Sequence, residues 1–226
     1  MLSHSVLILT ESEFTRHRRE NMQLGFYVDT AICSGCKACM VSCKDKNDLN
    51  VGRNFRRVYE YAGGSCTDNG NGVFSQSVFA YYTSISCNHC NTPACTTACP
   101  TGAMHKRAED GLVMIHDDIC IGCSSCSQAC PYDAPQLDEA RGKMTKCDGC
   151  IDRLNAGKQP MCVDSCIHRA LDFGPIDELR AKYGDTAEIA PLPSASITKP
   201  NLILKVHPDG QPVGSGAGSV VNPNEV

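Results

Sequence analysis

The chain has 226 residues and a mass of 24.3 kDa, enough for one large or two small domains, and it carries 17 cysteines. Those cysteines swell the 42% hydrophobic fraction, so only about 35% is left for an oily core, with no Trp and 6% aromatics, and something besides apolar packing has to organise the chain. A formal charge of -4 and a pI near 6.0 exclude the basic face that nucleic acid requires, and no stretch approaches the length of apolar chain needed to span a membrane.

In chain order, residues 1–21 show no recognisable element, and Arg18 and Arg19 lack the apolar stretch that a twin-arginine export signal has behind it. They read as an extension, with translation expected to start at Met22, just ahead of a strand at 25–29. The first cysteine quartet follows, Cys33, Cys36, Cys39 and Cys43, spaced C-x2-C-x2-C-x3-C, with a short helix over 39–46. Residues 53–83 read as a hairpin that carries most of the aromatics and is expected to be an interface; Cys66 lies inside it. The second quartet is Cys87, Cys90, Cys95 and Cys99, with Pro100 after it. A second hairpin spans 103–116, its Asp110-Gly111 tip suited to a type I′ turn. The third quartet, Cys120, Cys123, Cys126 and Cys130, repeats the first spacing, adds Pro131 and predicts a short helix over 126–130. The fourth, Cys147, Cys150, Cys162 and Cys166, is the second with a longer insertion. A helix at 175–183 has Pro at its first position and Gly184 past its end. From Pro191 the composition predicts an extended tail that takes its order from a neighbour, with one apolar run at 201–206; after residue 210 disorder is the competing expectation.

The first and third quartets have the spacing of the bacterial ferredoxin run, in which three thiolates wrap one [4Fe-4S] cube and the fourth ligates another. Three close cysteines on one irregular turn reach three iron corners, while the fourth points away. Sixteen ligands at four per cube make four cubes and leave Cys66 over, as a free surface thiol. Disulfides are disfavoured by the odd count and the close spacing. Zinc would fit Cys147, Cys150, Cys162 and Cys166 alone, but three thiols in seven residues are more than a zinc knuckle uses. Gly35, Gly122 and Gly149 precede second cysteines, either to let the backbone approach inorganic sulfide or to make a tight turn. Four cubes would add a charge of about -8 and bring the loaded protein near -12. Lys37, Lys44, Lys146, Arg153 and Arg169 stand beside the quartets and would offset that charge, although each taken singly reads more readily as solvated surface. His89, His105, His116 and His168 have no nucleophile partner and read as structural, and there is no nucleotide-binding glycine loop.

The chain repeats itself. Residues 28–36 match 115–123 at an offset of 87, and residues 99–104 echo 166–171. The fold class is therefore α+β and loop-rich: two ferredoxin-like modules of two cubes each, duplicated about an approximate twofold axis, with an added hairpin and an extended tail. The sequence leaves open whether quartet one exchanges its fourth ligand with quartet four or with quartet two. Helices this short cannot stand alone, so folding is expected to depend on metal.

The quartets in this order, with the strings at 55–64 (FRRVYEYAGG), 78–82 (VFAYY), 84–90 (SISCNHC), 144–150 (MTKCDGC), 170–180 (ALDFGPIDELR) and 190–193 (APLP), resemble the electron-transfer subunits of dimethyl sulfoxide reductases, from about Met22 to Val226. The resemblance implies cluster one on Cys33, Cys36, Cys39 and Cys166; cluster two on Cys43, Cys147, Cys150 and Cys162; cluster three on Cys87, Cys90, Cys95 and Cys130; and cluster four on Cys99, Cys120, Cys123 and Cys126. It implies an outer module of residues 22–80 with 140–190, including the insertion at 53–83, an inner module of 84–139, and a tail of 191–226. Related nitrate reductase subunits replace a third-quartet cysteine and carry a three-iron cluster, whereas all four are present here. Two positions depart from the pattern: Ile167 stands where proline is usual, and Cys66 where an aromatic is usual.

By the same resemblance the chain is a non-catalytic electron carrier in anaerobic respiration. It would pass electrons from a membrane anchor subunit that oxidises menaquinol to a molybdopterin catalytic subunit that reduces dimethyl sulfoxide and related S- and N-oxides, within a heterotrimer. The complex would lie on the periplasmic face of the inner membrane, this chain having been exported folded with its partner.

Overall fold

The computed structural model describes residues 22–226; the expectation that translation starts at Met22 concerns residues 1–21 and lies outside the described residues. The first half runs β1 (Leu24–Asp29), α1 (Ala38–Lys46), β2 (Arg57–Gly63), β3 (Cys66–Asp68), β4 (Phe74–Gln76), β5 (Phe79–Ile85), α2 (Ala94–Thr97), β6 (Met104–Lys106) and β7 (Val113–Ile115). The second half runs α3 (Ser125–Ala129), β8 (Gln136–Asp138), β9 (Lys143–Thr145), α4 (Ile151–Asn155), α5 (Met161–Asp164), β10 (Leu171–Pro175), α6 (Ile176–Tyr183), β11 (Leu202–Lys205) and β12 (Gly218–Val220), before a final 3-10 turn (Pro223–Glu225). The fold is mixed, with small sheets and short helices joined by long loops, as the composition predicted.

Strand β1 is the centre of the larger core. It pairs antiparallel with β10 and parallel with β11, and it is buried on both faces. Phe26 packs on Phe173 with ring centroids 4.5 Å apart; on the other face Tyr27 joins Ile176, Leu179 and Ile203 and stacks on Tyr183 at 3.6 Å. Helix α6 covers that face. It starts directly after Pro175, which caps it, and stops at Gly184, whose φ of 95° no other residue type adopts at low cost.

The second sheet has the order β12-β2-β5. The hairpin expected at 53–83 is present, β2 pairing with β5 in full register from Arg57 opposite Ile85 to Gly63 opposite Phe79, and β3 and β4 extend it as a two-stranded tip. Its aromatics correct the expectation of an interface, because Tyr61, Phe79 and Tyr81 are buried among Val58, Ile85, Ile189 and Leu192. Only the tip is exposed, with Val73, Phe74 and Val78 all more than half accessible.

The hairpin at 103–116 also forms, as β6 and β7. Its turn is not type I′: of the tip residues only Gly111 has positive φ, and the Asp110 carboxylate accepts from the Leu112 amide at 3.0 Å instead. The tail differs more. It takes its order from its own chain, with β11 added to β1 and β12, beyond residue 210, added to β2. At the very end Asn222 brackets β2, accepting from Glu60 N–H and donating to the Val58 carbonyl, and Glu225 pairs with Lys37. Among the described residues no helix is long and apolar enough to cross a membrane.

Candidate iron-sulfur centres

The duplicated sequence folds as duplicated geometry. In the first quartet Cys33 N–H donates to Asp29 O, Gly35 has φ 69°, Lys37 is left-handed at φ 61°, and α1 begins at the next residue. Eighty-seven residues on, Cys120 N–H donates to His116 O, Gly122 has φ 68°, Ser124 is left-handed at φ 61°, and α3 begins. The turn wraps three thiols around one point and sends the fourth, Cys43 or Cys130, out past the far end of the helix. Of the two roles open to the glycines, the turn is the one the geometry supports. A Cβ on Gly35 would overlap the Tyr82 ring and one on Gly122 the Gly142 carbonyl, so protein atoms fill the space beside both.

The second halves of the second and fourth quartets match at an offset of 67. Pro93 and Pro160 cap the four-residue helices α2 and α5, which present Cys95 and Cys162 as buried donors. Cys99 N–H donates to Thr96 O and Cys166 N–H to Val163 O. Helix α1 packs on α5, and α2 on α3.

These contacts gather the thiols into four sets. One cavity is lined by Cys33, Cys36, Cys39 and Cys166, closed by Val58, Ser84 and Leu171. A second is lined by Cys87, Cys90, Cys95 and Cys130 with Val113 and Tyr132. Cys43 faces Cys162 and Cys150, and Cys147 faces Cys43 and Cys162. Cys99 faces Cys123 and Cys126, and Cys126 faces Cys120. Proximity thus follows the exchange of quartet one with four and of two with three. Successive sets are neighbours: Cys39 and Cys162 lie in one buried cluster, Cys87 and Cys147 in another, and Cys95 with Cys120 and Cys126 in a third.

The donor chemistry fits iron-sulfur cubes. Burial pushes Cys33 and Cys126 up to about 11 and Cys43, Cys90 and Cys95 up to about 12, so these thiols give up their protons only to a strongly bound cation. No group of three or more His, Cys, Asp or Glu among the described residues is arranged to hold a single metal ion, whereas cavities ringed by four thiols suit a larger body. Donors are already aimed at sulfur: Met104 N–H at Cys99 (3.4 Å), Met144 N–H at Cys120 (3.5 Å), Gly149 N–H at Cys147 (3.4 Å), Ala170 N–H at Cys166 (3.2 Å) and the Asn47 amide at Cys43 (3.5 Å).

Three cations are buried beside these sets without a carboxylate partner. Arg56 is 1% exposed, Arg57 5% and Lys146 6%, and among the described residues none joins an ion pair. Lys146 donates to the carbonyls of Val113 and Cys147. Of the five cations that the sequence placed beside the quartets, only Lys146 is buried; Lys37 and Arg153 pair with Glu225 and Asp164, and Lys44 donates to the carbonyls of Asn50 and Arg53. Arg56 has no such signal. It stands next to Arg57, and it is the β2–β5 register that buries both.

The histidines take structural places. His89 is fully buried, and burial together with the nearby Lys146 and Lys106 holds it neutral, well below the usual imidazole range, while its Nδ1 accepts from Val113 N–H at 3.0 Å. His105 stacks on His116 at 3.8 Å, and His168 lies exposed beside the first thiol set. Cys66 is exposed on β3. Cys66→Ser is therefore expected to leave iron content unchanged and to move stability by less than about 0.5 kcal/mol, checked by iron analysis and a thermal melt.

The family of 4Fe-4S dicluster domains matches residues 78–176. The B chain of the anaerobic dimethyl sulfoxide reductase of Escherichia coli K12 is 58% identical over 204 residues, which cover 90% of this chain and 98% of that protein. Its namesake from Haemophilus influenzae is 56% identical over 90% of this chain and 99% of its own length. The B subunit of the sulfite dehydrogenase of Allochromatium vinosum is 36% identical, over 69% of this chain and 70% of that protein. With its thiol-lined cavities and a likeness that runs almost end to end, this protein belongs to the family of anaerobic dimethyl sulfoxide reductase B chains.

Proposed function

We propose that this chain is the electron-transfer subunit of an anaerobic respiratory reductase for dimethyl sulfoxide and related S- and N-oxides, and that it holds four [4Fe-4S] clusters. The ligand sets are Cys33, Cys36, Cys39 and Cys166; Cys43, Cys147, Cys150 and Cys162; Cys87, Cys90, Cys95 and Cys130; and Cys99, Cys120, Cys123 and Cys126. The observation that carries this reading is the line of four-thiol sets, each sharing a buried cluster with the next. When bound, the clusters supply one-electron carriers with no open coordination position, which fits a relay and offers nothing for a substrate to bind.

The protein's own part is to fix, insulate and tune. Residues 22–80 with 140–190 form an outer module around the first two sets, residues 84–139 an inner module around the other two, and the tail at 191–226 ties the outer module together. Cys147, Cys150 and Cys162 are buried, as are Cys87 and Cys95, so the middle of the line is shielded from water. At the two ends, Cys36 and Cys123 are exposed. Exposed isoleucines flank both, Ile32 and Ile167 at one end and Ile119 and Ile121 at the other. Each end thus has an apolar rim around an accessible donor, which suits docking of a molybdopterin catalytic subunit and of a quinol-oxidising membrane anchor subunit. In this reading the complex lies on the periplasmic face of the inner membrane, exported with this chain already folded.

The test is iron and sulfide analysis of the anaerobically isolated complex together with low-temperature EPR. About sixteen irons per chain, four per cube, are expected; zinc in their place would overturn the reading. Co-purification with a partner that oxidises sulfite instead of reducing a sulfoxide would keep the relay and displace the substrate, an outcome made specific by the likeness to the Allochromatium protein.

A further inference from the structure

Arg56 sits at the point where the first and second thiol sets meet. Thiols of both sets act on its charge, Cys162, Cys147 and Cys43 of the second and Cys39 of the first. One guanidinium nitrogen donates to the Ser84 hydroxyl at 3.1 Å, and that hydroxyl lies 3.4 Å from the Cys39 sulfur. The hydroxyl oxygen accepts from the arginine, which leaves its own hydrogen for the sulfur. The other terminal nitrogen donates to the Ser86 hydroxyl at 2.9 Å, the plane lies 4.6 Å over the Phe26 ring, and Nε is buried with no partner. Nothing in this packing neutralises the charge. An arginine side chain stays charged even when buried, so the positive charge remains at this joint.

We propose that Arg56 is a positioning residue for the relay: wedged at the joint of the first two centres, it orients the Cys39 donor through Ser84 and supplies the positive charge that sets the reduction potentials of both. The inference rests on the reading of the four sets as cube sites. A cube with four thiolates carries about -2 when oxidised and about -3 after taking up one electron from its donor. A fixed positive charge in a medium of low dielectric favours the more negative state, so it raises the potential of whichever centre it faces. Arg56 faces two centres, and no carboxylate offsets it. Lys146 stands further along the line, lining the cavity of Cys87, Cys90, Cys95 and Cys130 and donating to the Cys147 carbonyl beside it.

The experiment is an EPR-monitored redox titration of the full complex carrying Arg56→Gln, with iron counted in the same sample. Full iron is expected, with two of the four midpoint potentials lowered by at least about 59 mV, a tenfold change in a one-electron equilibrium, and the other two unmoved. Arg56→Lys, which keeps the charge and loses the fork, should return most of that shift. A fully loaded Arg56→Gln protein with all four potentials unchanged, or all four moved alike, would overturn the proposal. If Arg56→Gln loses iron or fails to assemble, Ser84→Ala decides. It removes only the relay to Cys39, so one potential should fall with the iron intact, and four unchanged potentials count against Arg56. An unmutated complex with far fewer than about sixteen irons per chain fails at the earlier step and refutes the four-centre reading itself.

Discussion

Removing the iron from the intact chain with a chelator under anaerobic conditions is expected to unfold it, not to leave a stable empty shell. The helices that present the buried thiols run to nine residues at most in α1 and only four in α2 and α5, too short to hold in water on their own. Thiols make up much of what the helices bury, as with Cys95, Cys120 and Cys126 in one cluster and Cys43, Cys87 and Cys147 in another. Arg56 and Lys146 add to the effect, since a buried cation with no opposite charge costs several kcal/mol, and among the described residues neither has a carboxylate partner, so in the proposed reading the clusters would offset both. A structural metal centre contributes on the order of 10 kcal/mol to folding, as much as an entire small domain's net stability. The measurement is near-ultraviolet circular dichroism with limited proteolysis before and after chelation. An apoprotein that keeps its dichroism and its protease resistance would contradict a metal-dependent fold.

The second large effect is expected from Cys126→Ser. Cys126 is buried on α3 in the set with Cys99, Cys120 and Cys123, at the end of the line where Cys123 reaches the surface. Its replacement should abolish or alter one EPR signal and leave the other three, because none of the other three sets uses it. Electron delivery through the assembled complex should nonetheless fall by more than about tenfold, since even the loss of an outer hydrogen-bond partner to a metal ligand costs that much. Simultaneous loss of all four signals from a folded protein would show that the sets are not independent.

The spacing of the thiols and the turns that carry them were legible in the sequence because that geometry is local. Three thiols within seven residues can do only a few things, and the left-handed turn at Gly35 and Lys37 recurs at Gly122 and Ser124 because the same short spacing recurs. The hairpin pairings and helix α6 were likewise visible as local turn, cap and periodicity signals. What escaped was set by distant partners. Residues 202–205 read as an apolar run in a tail, but their place on β1 depends on a strand some 175 positions earlier. The hairpin aromatics read as an interface because nothing local shows that Ile189 and Leu192 come back to cover Tyr81. Arg56 is the sharpest case: a cation beside another cation normally marks a wet surface, and only the pairing of β2 with β5 reverses it.

The way the tail closes the molecule bears on how it is made. Strand β1 emerges first among the described elements, yet its parallel neighbour β11 is synthesised near the end, and the last residues brace β2 through Asn222 and meet Lys37, beside Cys36, through Glu225. Until residues 202–220 have been made, both sheets flanking the first thiol set lack an edge, so that region cannot close around its cargo before then.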